Sequence, residues 1–101
     1  MMLDLEPTAI FCCNDLMAMG AVNACQRMGR RVPQDISVIG YDNTALSRYT
    51  APKLTTIDQN MADLGREAAR LMLKQIVENV TENVVLANTV VERETTGFRV
   101  E

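Results

Sequence analysis

The distribution of apolar and polar residues in the first half of this chain predicts a strand, a helix and a second strand. Two short apolar runs, 8–13 and 36–41, have the length of buried strands. The second run is apolar on both faces, which suits a parallel strand covered by helices on each side. The helix between them begins at Asn14 or Asp15, either of which can cap it, and Gly29 can end it. The pattern predicts a right-handed βαβ unit.

The second half of the chain begins with a loop and continues into a long amphipathic segment. Residues 43–53 form the loop, and residues 54–57 form a short extended piece. Helical spacing of apolar residues predicts a helix over 61–78. Its apolar stripe consists of Met61, Leu64, Ala68, Leu71, Met72 and Ile76. Residues 84–93 are expected to form one final strand or two short ones, so the whole pattern predicts an α/β fold with a parallel sheet flanked by helices.

Composition and charge limit the partners that this chain can have. With 101 residues, 48% of them hydrophobic and 23% charged, the chain has the composition of one small globular domain. Thirteen acidic and ten basic residues give a net charge of -3. Nucleic-acid binding usually needs a basic surface that neutralises phosphates. Arg27, Arg30 and Arg31 are the only local basic cluster, so we do not expect these residues alone to bind DNA strongly.

The residue types that carry common enzyme chemistry are missing. The sequence has no histidine, which removes Ser-His-Asp and Cys-His catalysis and leaves no imidazole to bind zinc. It also has no glycine-rich phosphate loop. Cys12, Cys13 and Cys25 form no Cys-x-x-Cys motif, and we expect the adjacent pair to be buried packing residues. The sequence therefore predicts a protein that is not an enzyme and needs no cofactor or metal.

No apolar run is long enough for a membrane span, and no secretory leader is recognisable at the amino terminus. An odd number of cysteines without a disulfide framework agrees with a reducing compartment. We therefore expect a cytoplasmic protein with no membrane contact.

Asp42 is the strongest candidate for a ligand contact. It follows the strand predicted at 36–41, and open α/β sheets bind ligands at the carboxyl ends of their strands. A carboxylate there can accept hydrogen bonds from sugar or nucleoside hydroxyls. The alternative is a solvated carboxylate that only holds a turn.

Four segments, in this order, resemble the LacI/GalR family of bacterial transcriptional regulators. They read TAIFCCNDLMAMG at 8–20, VPQDISVIGYDN at 32–43, RYTAPKLTTI at 48–57 and VERETTG at 91–97. Together they span nearly the whole chain, and their common order makes the resemblance specific.

The resemblance implies the carboxyl-terminal part of a periplasmic-binding-protein-like effector domain, which has two flavodoxin-like lobes joined by three crossings. Within 1–101, residues 7–53 would be the βαβ unit of the second lobe and residues 54–60 one crossing. Residues 61–80 would be a helix of the first lobe, and residues 84–97 the terminal strands. Operator DNA would be bound by a helix-turn-helix headpiece outside these residues.

The resemblance also implies ligand contacts. Asn14, Asp42 and Gln59 stand at positions that face the effector cleft in the family, so they are expected to bind a small effector, either a sugar or a nucleoside-like molecule. Each has an alternative: Asn14 can be a helix cap, Asp42 a turn residue, and Gln59 a polar residue before a helix. Asp15 is expected to cap the helix or to support the ligand contacts from behind.

Met19, Val22 and the loop around Tyr49 match the surface through which family members form dimers. The function implied is that of a LacI/GalR-type repressor or regulator, in which effector binding changes operator binding. The alternative is a stand-alone sugar-binding module of the same fold that does not bind DNA.

Overall fold

The structure is a computed structural model and describes residues 5–99. This part of the chain contains four short strands and two α-helices. In chain order these are β1 (Ala9–Phe11), α1 (Asp15–Arg27), β2 (Ser37–Ile39), a 3-10 helix (Ala45–Arg48), β3 (Thr56–Asp58), α2 (Met61–Glu78) and β4 (Thr89–Val91). The fold is α/β with parallel strands and helices, as the sequence predicts.

The strands form two pairs that a single bridge connects. β1 and β2 are parallel, and β3 and β4 are antiparallel. Ile39 at the end of β2 bridges to Thr55, and the Gly40 amide donates to the Thr55 carbonyl at 2.9 Å. The segment before β3 therefore continues the first pair as a third extended strand. On the same edge of β2, the Val38 amide donates to the Thr95 carbonyl at 2.9 Å.

The core lies between α1 and the parallel strands. Its buried apolar side chains are Cys12, Ala18, Val22, Cys25, Val32, Ile36, Val38 and Leu54. Gly40 lies where the backbone comes closest to α1. A Cβ atom at Gly40 would overlap the Asp15 carboxylate and would lie 3.2 Å from the Ala18 Cβ. Glycine is therefore required at this position by the close approach of the helix to the strand.

α2 has almost no share in this core, because none of its residues is buried. Its apolar side chains face outward, with Met72 58% and Ile76 70% exposed. The radius of gyration is 17.8 Å, whereas a compact chain of this length would have about 13 Å. The described chain thus consists of a packed βαβ part and an extended part whose apolar helix face is uncovered.

The predicted elements agree best with the structure where the periodic spacing of apolar residues continues over a long segment. The predicted helix 61–78 is α2, and Gly29 follows α1 with a φ of 76°. The prediction of a buried strand at 8–13 is wrong in part. β1 spans only Ala9–Phe11, and Phe11 is 62% exposed because β1 is an edge strand with one uncovered face. Residues 84–93 contain a single strand, β4.

Replacing Gly40 by Ala should lower the free energy of unfolding by about 1–3 kcal/mol, because the added methyl group overpacks the contact with Asp15. Gly20→Ala is the matched control: a Cβ at Gly20 meets no atom within 4 Å. Since Gly20 lies inside α1, its replacement should raise stability by about 0.5–1 kcal/mol. Urea unfolding followed by circular dichroism measures both. Equal effects of the two substitutions would contradict the close approach at Gly40.

Candidate functional site

The polar residues predicted from the sequence meet at the carboxyl ends of the parallel strands. Asn14 follows β1 and Asp42 follows β2, so the parallel pairing brings both to one edge of the sheet. The side chain of Gln59, which follows β3, also reaches this edge: its Nε2 donates to Asp42 Oδ1 at 2.5 Å. The Asp42 amide donates to the Ile57 carbonyl at 2.9 Å. The side chains of Asp42 and Gln59 are therefore paired: the Gln59 side-chain amide donates to one oxygen of the Asp42 carboxylate.

Asn14 is the N-cap of α1. Its Oδ1 accepts a hydrogen bond from the Met17 amide at 2.8 Å, so the capping alternative is correct for this oxygen. The ligand contact expected of Asn14 stays a prediction, and its side-chain nitrogen is the group that would make it.

Asp15 is a buried carboxylate that joins three segments of the chain. It is 1% exposed. Its Oδ2 accepts from the Thr44 amide at 2.7 Å and from the Thr44 hydroxyl at 2.8 Å. Its Oδ1 accepts from the Thr56 hydroxyl at 2.6 Å. As the first residue of α1, Asp15 also lies at the positive end of the helix dipole. It supports the site from behind and lies too deep to contact a ligand directly.

The turn after β2 has an unusual backbone. Asp42 has a φ of 109° and Asn43 a φ of 52°, in the region that side-chain-bearing residues rarely adopt. The Asn43 amide donates to the Thr56 hydroxyl at 3.1 Å, and Asn43 Nδ2 donates to Asp58 Oδ2 at 3.3 Å. These contacts tie the turn to β3 and are one of the restraints on the direction of the Asp42 side chain.

Arg93 is the residue near the site whose role sequence reasoning missed. Its guanidinium donates from Nη2 to Asn43 Oδ1 at 2.6 Å. Nη1 donates to Ser47 Oγ at 2.7 Å and to the Leu54 carbonyl at 2.8 Å. The available signal was a basic residue within the fourth family-like segment, two positions after the apolar pair Val90 and Val91. Nothing in the linear pattern connects that residue to Asn43, fifty positions away.

Two aromatic rings flank the same end of the strands. Phe11 and Tyr41 meet edge to face, with ring centroids 6.4 Å apart and an interplanar angle of 66°. The Tyr41 hydroxyl accepts from Asn88 Nδ2 at 3.0 Å. An exposed aromatic surface beside a few oriented polar groups is typical of small-molecule sites.

The cysteines take no part in this arrangement, and all three are free thiols. Cys12 and Cys25 are buried, as predicted, and burial raises the pKa of both thiols; the neighbouring Cys13 and Cys25 raise that of Cys12 further. The prediction of burial is wrong for Cys13, which is exposed because adjacent strand residues point to opposite faces. Within residues 5–99, no group of three or more thiols and carboxylates is placed to hold a metal ion.

The residues predicted for a dimer surface have different environments. Tyr49 is 80% exposed and Met19 is half-buried. Val22 is a core residue with 8% exposure in the single chain, and its expected place in a dimer surface stays a prediction. The exposed apolar side chains of α1 are instead Leu16 and Met17 near its amino terminus.

Comparison with known proteins agrees with this geometry. Residues 1–96 match the periplasmic binding protein-like domain. A transcriptional repressor named PurR from Pasteurella multocida is 51% identical over 83 residues, which are 82% of this chain and 25% of that protein. The ribose operon repressor of Haemophilus influenzae is 48% identical over an alignment 92 residues long, which covers 88% of this chain and 27% of that protein.

Solved structures are similar in fold over nearly the same range. The Lac repressor bound to ONPG has a TM-score of 0.86 and 39% identity, covering 92% of this chain and 29% of that one. A LacI family regulator from Enterococcus faecium with bound ribose has a TM-score of 0.82 and 37% identity, covering 94% of this chain and 36% of that one.

The α/β fold, with polar groups at the carboxyl ends of its parallel strands, is of the periplasmic-binding-protein type. The chain belongs to the periplasmic-binding-protein-like domain family, in its LacI/GalR group of transcriptional regulators. It spans about a quarter of the length of the curated relatives it matches. Among the described residues, neither helix combines the length and apolar character that crossing a membrane would require.

Replacing Asp15 by Asn should lower the free energy of unfolding by about 1–3 kcal/mol, because the buried carboxylate accepts three hydrogen bonds and an amide cannot accept them all. The matched control is Asp63→Asn on α2, whose carboxylate pairs with Arg66 at 2.6 Å in an exposed position. That change should cost less than about 1 kcal/mol. Chemical denaturation of both variants measures the free energy of unfolding. Equal losses of this free energy would show that the hydrogen bonds of Asp15 stabilise the fold no more than an exposed ion pair does.

Proposed function

We propose that this chain supplies part of the effector site of a LacI/GalR-type transcriptional regulator and binds a small hydroxyl-rich molecule through Asp42. The observation that carries the proposal is the Asp42 carboxylate, which lies at the carboxyl end of β2 and is held by Gln59 at 2.5 Å. A carboxylate and a neighbouring amide offer both acceptors and a donor, which suits the hydroxyl groups of a sugar. Asn14 would add a further polar contact from the end of β1.

The relatives support a hydroxyl-rich effector. One similar regulator was solved with ribose, and another, CelR, as a cellobiose complex with 36% identity and a TM-score of 0.83. Both ligands are sugars. The curated relatives are named as repressors, which favours a regulator over an enzyme or a stand-alone sugar-binding module. A repressor acts on DNA, so we propose a cytoplasmic location.

The proposed mechanism is a population shift in a larger domain. Residues 7–53 would belong to one lobe, 54–60 to a crossing, 61–80 to a helix of the other lobe, and 84–97 to the terminal strands. An effector bound between the lobes stabilises one arrangement, and its differential affinity for the two arrangements changes operator binding. Operator contacts would come from a helix-turn-helix outside these residues, since the net charge here is -3.

Replacing Asp42 by Ala, in the complete effector domain that contains these residues, should weaken binding of the effector about tenfold to a hundredfold, because a charge-assisted hydrogen bond is lost. Isothermal calorimetry with D-ribose and cellobiose as probes measures the dissociation constants. Asp63→Ala, an exposed carboxylate on α2, is the control and should leave them unchanged. If Asp42→Ala binds a probe as tightly as the control variant does, Asp42 is a turn residue and the proposal fails. If the unmodified domain binds neither probe, the choice of these sugars as effectors is wrong.

Self-association is the second part of the proposal, and two surfaces support it. The first contains Met19, Val22 and the loop around Tyr49, which match the dimer surface of the family, and Tyr49 is 80% exposed. The second is the uncovered face of α2, where a groove of about 310 Å³ separates the helix from the extended segment after it. Its lining residues include Leu64, Leu71, Val84 and Leu86. Burying one such side chain stabilises an assembly by about 1.5–3 kcal/mol.

We therefore expect the isolated 101-residue chain to form dimers or larger assemblies at micromolar concentration. Sedimentation equilibrium would give masses above the 11.2 kDa of the single chain. Met72→Glu should lower the mass if the α2 face is used, and Tyr49→Glu should do so if the α1 surface is used. Arg66→Glu, on an exposed polar position of α2, is the control. A single 11.2 kDa species across the concentration range would contradict self-association.

A further inference from the structure

The turn that carries Asp42 needs an external restraint. Both Asp42, with a φ of 109°, and Asn43, with a φ of 52°, lie outside the conformations that side-chain-bearing residues prefer. Such conformations persist when the surrounding contacts over-determine them. The residues that supply these contacts therefore decide where the Asp42 carboxylate points.

Two charged side chains hold this turn from different directions. The Asp15 carboxylate accepts from the Thr44 amide and hydroxyl, at 2.7 and 2.8 Å, on the carboxyl side of the turn. The Arg93 guanidinium donates to Asn43 Oδ1 at 2.6 Å, within the turn itself. Since Asp15 begins α1 and Arg93 follows β4, the two restraints come from opposite ends of the chain.

The guanidinium is suited to this task by its shape. Its three acceptors are neutral oxygens of the Asn43 side chain, the Ser47 hydroxyl and the Leu54 carbonyl, at 2.6–2.8 Å. A planar fork with several N–H groups can bind three acceptors in fixed directions, whereas a lysine ammonium group on a flexible stem cannot reproduce that geometry. Hydrogen bonds from a charged donor are also about twice as strong as neutral ones.

Arg93 is itself anchored to the sheet on both sides. Its amide donates to the Thr55 hydroxyl at 2.9 Å. Two residues further on, the Thr95 hydroxyl donates to the Val38 carbonyl at 2.6 Å and accepts from the Thr55 amide at 2.9 Å. The guanidinium therefore links the segment that leaves β4 to the turn that leaves β2.

We propose that Arg93 is a positioning residue of the Asp42 site, acting through Asn43 to hold the left-handed turn that presents the carboxylate. It does not itself contact the effector. The importance of the Asp42 site rests on the function proposed above, but the restraint on the turn does not, and it can be measured without any effector.

Amide hydrogen exchange of the 101-residue chain, followed by NMR, tests this role. In Arg93→Lys, the amides of Asp42, Asn43 and Thr44 should exchange about tenfold faster relative to those of α1, because a charge-assisted hydrogen bond within the turn is lost. The amides of α1 report general stability. Arg48→Lys is the control, since Arg48 is an exposed arginine in the same loop. It should leave the exchange of the turn unchanged.

A second variant tests whether Arg93 acts through Asn43. Asn43→Gly removes the acceptor while keeping a residue that tolerates the positive φ. In this background Arg93→Lys should change the exchange of Asp42 and Thr44 by less than about twofold, because the contact is already absent. If Arg93→Lys raises the amide exchange rates of the turn and of α1 equally, Arg93 contributes only to general stability. If Arg93→Lys has its full effect on the turn in the Asn43→Gly background, Arg93 does not act through Asn43. Either result overturns the proposal.

If Arg93→Lys does not fold, Asn43→Gly can still overturn the proposal: slow exchange of the Asp42 and Thr44 amides in that variant would mean that the contact with Arg93 does not restrain the turn. Effector titration is independent of these measurements, so a failed effector site and a failed restraint would be told apart.

Discussion

The buried Asp15 carboxylate is the interaction on which the rest of the site depends. It satisfies the amide and hydroxyl of Thr44 and the hydroxyl of Thr56, while its own residue begins α1. A carboxyl group with 1% exposure is stable only when its oxygens are hydrogen-bonded. The helix, the turn and β3 are therefore held at one point. A side chain at Gly40 would overlap the same carboxylate. Because Gly40 has no side chain, α1 can lie directly on the strand.

Asp42 lies beyond this point and has a different environment. It is half-buried, and its carboxylate is bound by Gln59. Two acidic residues at the same sheet edge thus have separate roles: Asp15 holds the segments together and Asp42 faces the ligand in the proposed function. Arg93 adds a positive group that binds neutral oxygens around the turn. The stability of the scaffold and the direction of the candidate ligand contact are consequently supported by different charged residues.

The features that could be predicted are those whose sequence signal lies in neighbouring residues. The helix at 61–78 follows from apolar spacing alone, and Asp42 from its place after an apolar run. Phe11 and Cys13 were predicted to be buried and are exposed, because exposure depends on whether another layer covers the strand. Val22 was expected at a dimer surface, and in the single chain it is 8% exposed. The sequence could not predict this burial, because α1 is apolar on most sides and its sequence does not specify the side that meets the sheet.

The sequence by itself determined the α/β class, the LacI/GalR resemblance, the order of the elements and the position of Asp42 at a strand end, since each depends on neighbouring residues. Only the tertiary structure decided that Asp15 is a buried acceptor and that Arg93 reaches Asn43. Those contacts join residues 29 to 50 positions apart. Hydrogen bonds of this kind form only when the folded backbone brings distant segments within 3 Å, and no local pattern encodes that proximity.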